Sequence, residues 1–347
     1  MNFFARTCIL LTLWQLVLTQ KYLFQSAVVS FKRLKDTRVA NLSLSRLTTI
    51  DQHQFAKAVD IKIRTKKMKM YTGAVKNLPN LKILRVKDCG IQVLEQNAFQ
   101  NLPKIEEVHM QENDLTVIVN GVFNYLPIRE LWLQQNEITT IQSGAFDNMP
   151  ALEIIRLNRN MLSRWDSRWF VNTPKLRIVQ FRRNKVTELP AKAFINIKTS
   201  HEVNGEEYVD TQIFLSSNNI SFLHPEALDG IDSLHELCLR KNNLREVDWK
   251  VFSHMTELHK LNLDKNSLSK IESEAFENMS EMLELNLSRN LFECVPYDVV
   301  SKVKKVILRK NYDFKCSCLH NLRERLREEK RDSEIDAVEC TQEPIDK

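Results

Sequence analysis

Across 347 residues the chain has only six glycines and eight histidines, with no Gly-x-Ser-x-Gly and no His-Glu-x-x-His, so it offers no phosphate-cradling loop, nucleophile elbow or zinc-hydrolase helix. Its net charge of +6 is spread over 27% charged residues of both signs. No nucleic-acid motif accompanies that charge, which argues against a nucleic-acid partner and makes an acidic glycan the better polyanion; no residues suggest a catalytic, cofactor or metal site.

Residues 8–18 form a short apolar run behind Arg6, the pattern of a secretory signal peptide over residues 1–19, with cleavage expected after Thr19. A spanning helix needs about 20 apolar residues, and Lys21 interrupts this run too early. No second stretch reaches that length, so no membrane span is expected. The end at Ile345-Asp-Lys347 lacks a glycolipid-anchor tail. Secretion is the reading that follows. Residues 20–57 are expected to hold an N-terminal cap and a degenerate first repeat. Residues 27–32 add a strand that protects the sheet edge, and Val39, Leu42 and Leu44 mark the first repeat strand.

From residue 58 to 311 one phrase recurs. Leu131-x-Leu133-x-x-Asn136-x-Ile138 returns as Leu237-x-Leu239-x-x-Asn242-x-Leu244 and as Leu261-x-Leu263-x-x-Asn266-x-Leu268. Its Asn column runs Asn113, Asn136, Asn160, Asn184, Asn218, Asn242, Asn266, Asn290, Asn311, with Cys89 in the same place one repeat earlier. A Phe column (Phe99, Phe123, Phe146, Phe170, Phe194, Phe252, Phe276) follows about ten residues behind each Asn. One unit cannot bury its three inward apolar positions alone, so neighbours must stack into a continuous core. The buried Asn amide is expected to satisfy backbone groups of its own turn and the next.

This pattern resembles the extracellular typical leucine-rich repeats of Toll-like receptors, matrix proteoglycans and insect leucine-rich immune proteins. The resemblance implies an α/β solenoid: a right-handed horseshoe of about ten repeats with a parallel β-sheet on its concave face and a C-terminal cysteine cap. It also implies binding of an extracellular protein partner, in innate immunity first. An extracellular matrix or adhesion scaffold binding glycans or fibrous proteins is the second reading. The fold itself fixes no ligand.

The step from Asn184 to Asn218 is the longest in the column, and the excess forms an acidic insertion at residues 199–210, either a partner-touching loop or plain surface. Positions flanking the strand leucines should face the concavity. Trp132, Gln134, Arg156, Asn158, Gln180 and Arg182 are therefore the candidate partner surface, since aromatic and Arg side chains dominate protein interfaces. Arg159 and Arg183 join them from a basic column just before the Asn, continued by Lys241, Lys265, Arg289 and Lys310, which would draw an acidic ligand. Sequons occur at Asn41, Asn219, Asn278 and Asn286, the last expected to project from the concave sheet.

Residues 312–347 resemble the family's C-terminal cap with a short charged helix, Leu319, Leu322 and Leu326 being spaced to cover the last apolar layer, and the charged segment Leu319 to Asp336 resembles the tail of the insect leucine-rich immune proteins. That cap carries four cysteines in the family, and here only Cys316, Cys318 and Cys340 fall inside it. One of Cys316 and Cys318 is expected to pair with Cys340. The other seeks Cys294 or a second chain, which leaves a disulfide-linked dimer or hetero-complex open. Cys89 should be buried in its column, and Cys238, between Leu237 and Leu239, should face concave solvent.

Overall fold

The computed structural model describes residues 28–33, 36–43, 49–50, 55–203, 206–280, 282–330, 334–336 and 340–341. The expected signal sequence lies outside the described residues. One 14-stranded sheet runs through the protein. Numbering only its strands, these are β1 (Val28–Arg33), β2 (Asp36–Ser43), β3 (Ala58–Arg64), β4 (Ile83–Arg85), β5 (Glu107–His109), β6 (Glu130–Trp132) and β7 (Ile154–Arg156). They continue as β8 (Ile178–Gln180), β9 (Gln212–Phe214), β10 (Ser233–Cys238), β11 (Glu257–Asn262), β12 (Met282–Asn286), β13 (Val303–Ile307) and β14 (Glu334–Asp336). From β3 onward each strand pairs in parallel with the next, giving a solenoid of about 10 turns.

The strands are short because only their middle residues carry the core. Leu84, Val108, Leu131, Ile155, Val179 and Ile213 are buried, and their neighbours on either side face outward. Beyond each strand the Asn column closes the turn, with one difference from expectation. Asn136 Nδ2 donates to Met110 O and Leu133 O, both at 3.0 Å, and Oδ1 accepts from Leu115 N at 3.2 Å. Each amide therefore joins its own turn to the preceding one, and not to the next. Asn242 repeats the pattern with Leu215 O, Leu239 O and Ile220 N. Cys89 reproduces half of it: its thiol reaches Ile63 O at 3.5 Å, and burial pushes its pKa up to about 11.

The Phe column fills the far layer as a stack. Ring centroids of Phe99 and Phe123 are 5.7 Å apart, those of Phe146 and Phe170 5.8 Å, and those of Phe252 and Phe276 6.1 Å. Such offset stacks add to the area term. Three of the turns here tighten into short 3-10 helices, among them Ser167–Phe170 and Trp249–Phe252.

The two ends close differently. At the N-terminal end β1 runs antiparallel to both β2 and β3. The segment holding Val39 and Leu42 is thus the outermost strand, joined through β1, and is not a first parallel turn beside Ile61. At the other end helix α1 (Cys316–Glu328) buries Leu319, Leu322 and Leu326. Cys294 bridges Cys318 and Cys316 bridges Cys340. The cap cysteines are therefore consumed within the chain: of its two expected partners Cys318 takes Cys294, and no cap thiol is left for a covalent dimer. Cys238 is corrected too: it is buried, 5% exposed, with its sulfur 3.0 Å from Ser216 Oγ. The segment read as a charged tail adds β14, which pairs with β13 and places Asp336 on Arg309.

The insertion folds as an antiparallel hairpin, Ser200–Val203 against Glu206–Val209. Asp210 at its base lies 3.9 Å from Arg177. The described residues include no helix long and apolar enough to cross a membrane.

Candidate functional site

Parallel register places the residue after each buried strand centre in one row across the concave face: Arg85, His109, Trp132, Arg156, Gln180 and Phe214. Adjacent strands lie about 4.8 Å apart, close enough for flat side chains to stack face to face. The centre of the row does so. The His109 ring lies 4.6 Å from Trp132 and inclined by 26°, and the Arg156 guanidinium sits 4.0 Å from the ring centroid of Trp132. Trp132 is consequently half-buried between its neighbours, and is less exposed than its position in the sequence suggests.

Carboxylates in the preceding row hold this stack in place. Glu130 Oε2 accepts from Trp132 Nε1 at 3.2 Å and from Arg156 at 2.7 Å. Glu107 Oε2 lies 2.8 Å from His109 Nε2. Burial lowers the His109 pKa, outweighing the opposing hydrogen bond to Glu107, which favours the neutral ring and leaves Arg156 as the cation of the stack. Farther along, Arg182 lies 4.2 Å over the Phe214 ring, while Asn158 Nδ2 donates to Gln180 Oε1 at 2.9 Å. Among the described residues Gln111 Oε1 and Gln134 Oε1 are buried without a hydrogen-bond partner. A cavity of about 1190 Å³ opens at the N-terminal end of the row, lined by Lys62, Arg64, Arg85, Lys87 and His109 among others.

Of the sequence-proposed partner residues, Trp132, Gln134, Arg156, Asn158, Gln180 and Arg182 thus share the concave face. Arg159 and Arg183 do not join them. Both stand at φ +57°, in the turn after the strand, and line a separate groove of about 1070 Å³ with Lys185, Lys241 and Lys265. Sequence reasoning left out Phe214, Glu130 and His109 as site residues. Phe214 follows Ile213 as Trp132 follows Leu131, but the long step from Asn184 to Asn218 hid its register. Among the sequons, Asn219 and Asn278 are exposed; Asn286 lies on β12 with its Oδ1 accepting from Ser288 N at 3.1 Å. Among the described residues no cluster of three or more His, Cys, Asp or Glu side chains is placed to hold a metal ion.

The general leucine rich repeat profile matches residues 211–266, 232–292 and 256–306, and that of the BspA type leucine rich repeat region matches 29–149, 68–203 and 118–234. No curated protein matches the sequence significantly. Among solved structures, the Toll–Spatzle complex of Drosophila contains a chain 21% identical, with TM-score 0.59, over 73% of this protein and 33% of that chain. A chain of the octameric latrophilin 3, Unc5D and FLRT2 complex is 19% identical over 77% of this protein and 86% of its own length, with TM-score 0.56. One from the mouse RP105/MD-1 complex is 19% identical over 81% and 43%, with TM-score 0.55. The protein thus spans about a third of the first of these chains, and the likeness is one of fold.

Proposed function

Because the chain belongs to the leucine-rich repeat family, we propose that it is an extracellular recognition protein that grips a protein partner with the concave row from His109 to Phe214. One observation carries the reading: Trp132, a large aromatic on the solvent side of the sheet, is braced on both faces by His109 and Arg156 and tied at its edge by Glu130. Core packing does not require a Trp there. A rigid aromatic beside an Arg is the kind of anchor that supplies most of the energy of a protein interface, and its fixed rotamer lowers the entropy lost on binding. The cavity beside the row is lined by charges of both signs, Lys62, Arg64 and Lys66 among the cations and Asp88, Glu112 and Asp114 among the acids, and so suits a polar partner segment.

The two disulfides support an oxidising compartment, in keeping with the secretory leader read from residues 1–19. Likeness in fold to a chain of the Toll–Spatzle complex, together with the sequence resemblance to insect leucine-rich immune proteins, supports an innate-immune role. The test is a Trp132→Ala, Arg156→Ala double variant used as bait in native body fluid. It should lose its protein partner by at least tenfold in affinity, about 2 kcal/mol at the anchor, with a melting temperature close to that of the parent. Undiminished capture by a folded double variant would move the site off this row.

A further inference from the structure

We propose that the groove beside the asparagine turns, where Arg159, Arg183, Lys185, Lys241 and Lys265 line up without a single carboxylate, is a binding site for a linear sulfated glycan. The inference is independent of the concave row, none of whose stacked residues lines this groove.

Three observations converge on it. The five cations have no ion pair or side-chain hydrogen bond among the described residues and are exposed. On and beside the concave face, by contrast, several cations are neutralised: Arg85 rests on Asp60, Arg156 on Glu130, Arg240 and Arg289 on Asp264, and Arg309 on Asp336. Like charges repeated on neighbouring turns repel, and an incoming polyanion relieves that repulsion while displacing small counterions.

The second observation is a change of sign within one column. The residue before the column Asn, or before Cys89, is Asp88, Glu112 and Gln135 on three successive turns, then Arg159 and Arg183, and after Ser217 Lys241 and Lys265. All of these hold positive φ, from +53° to +58°. Only Gly, Asn and Asp enter that region without appreciable cost, so folding alone gives no reason to place Arg or Lys there turn after turn.

The third concerns the class of polyanion. Cations on two pairs of neighbouring turns, with Ser217 between the pairs, call for an extended ligand that carries charge along its length. Between the cations the lining is Ser217, Asn219, Asn243 and Ser267, hydroxyls and amides suited to sugar hydroxyl groups, and the groove contains no aromatic ring. Single-stranded nucleic acid is held largely by base stacking on aromatic side chains, and this surface has none to offer. Asn219 is exposed within the groove and heads the sequon ending at Ser221, so an N-linked chain there would cover the site.

The experiment uses the full chain carrying Ser221→Ala, which removes that sequon, and measures affinity for a size-defined heparin oligosaccharide at several salt concentrations. We expect log affinity to fall linearly with log salt, and a desulfated oligosaccharide of equal length to bind at least tenfold more weakly. Arg183→Glu with Lys241→Glu should lower affinity by at least tenfold and flatten the salt slope; Arg183→Gln with Lys241→Gln, which adds no repulsion, should do so less steeply. Trp132→Ala with Arg156→Ala should leave glycan affinity unchanged. Unaltered affinity in the folded Gln pair, or equal binding of the desulfated chain, would overturn the proposal. An unstructured oligonucleotide of equal charge binding as tightly would overturn the assignment to a glycan.

Discussion

The two halves of the concave face share one backbone and differ in what their side chains leave for a partner. From β4 to β9 the central row stacks rings and guanidinium groups, and its few carboxylates serve to brace them. From β10 to β14 the charges answer one another. Register sets Glu236, Lys260, Glu284, Lys305 and Glu334 in alternation across five strands. Asp264, almost wholly buried, accepts from Arg240 at 2.6 Å and from Arg289 at 2.7 Å. A partner docking on the second half would have to break satisfied pairs, whereas on the first half it meets an aromatic anchor already in place. The difference lies in the outward residues, since the inward strand centres are aliphatic in both.

The largest way to break the comparison is to uncouple the second half from its cap. Cys294→Ser with Cys318→Ser opens a bridge spanning 24 residues; loop entropy makes that worth about 3 kcal/mol. Because each turn of a solenoid rests chiefly on its neighbours, amide exchange should quicken from β12 to β14 and hardly change from β4 to β7. Uniform loss of protection would show that the halves unfold as one.

Next in size is Asp264→Asn, which weakens two charge-assisted hydrogen bonds and should cost about 1–3 kcal/mol by urea denaturation. Burial raises the Asp264 pKa, but hydrogen bonds from Arg289 and Arg240 outweigh it and hold the carboxyl below its usual range. A depressed carboxylate contributes stability above its unfolded pKa, and that contribution is lost as pH falls through the folded value. The cost of the substitution should therefore shrink in strong acid. Glu130→Gln in the first half should show the reverse emphasis: a smaller loss of stability, within about 1 kcal/mol for a half-exposed pair, and a clear loss of partner binding.

Most of the fold was legible because it is written as a period. Asn113 through Asn311 and Phe99 through Phe276 locate the turns whatever the residues between them. What escaped were features that depend on the neighbouring turn. The Asn amide points back to the previous turn, a direction the column does not encode. Cys238 occupies an outward strand position, yet its neighbour Ser216 is small enough to shelter the sulfur. Cys294 was readable as one of two partners for the remaining cap cysteine, but the choice between it and a second chain rests on proximity across stacked turns, which local spacing does not show. For the site, Trp132 and Arg156 were readable as residue types on the right face, but their stacking on His109 required the register. Arg159 and Arg183 were near in sequence and one bend away in space.

The smallest expected effect separates the halves by pH. Burial lowers the pKa of His109 from its ordinary 6.5, against the Glu107 hydrogen bond and the Glu107 and Glu130 charges, with Arg85 adding to the lowering. His235 in the second half is also lowered, by burial first and then by His259 and Lys260. For a histidine held neutral in the fold, the unfolded chain takes up the proton first as pH falls below 6.5, so native stability declines from there down to the folded pKa. Both residues should contribute a shallow loss of that sign between pH 7.5 and pH 5, read as a fall in urea midpoint that is smaller in His109→Asn and in His235→Asn. Only His109 touches the Trp132 stack. Partner affinity should therefore change over the same interval in the parent and in His235→Asn, and stay level in His109→Asn. A pH dependence that persists in His109→Asn and disappears in His235→Asn would place the binding surface on the second half, where the charges are already paired.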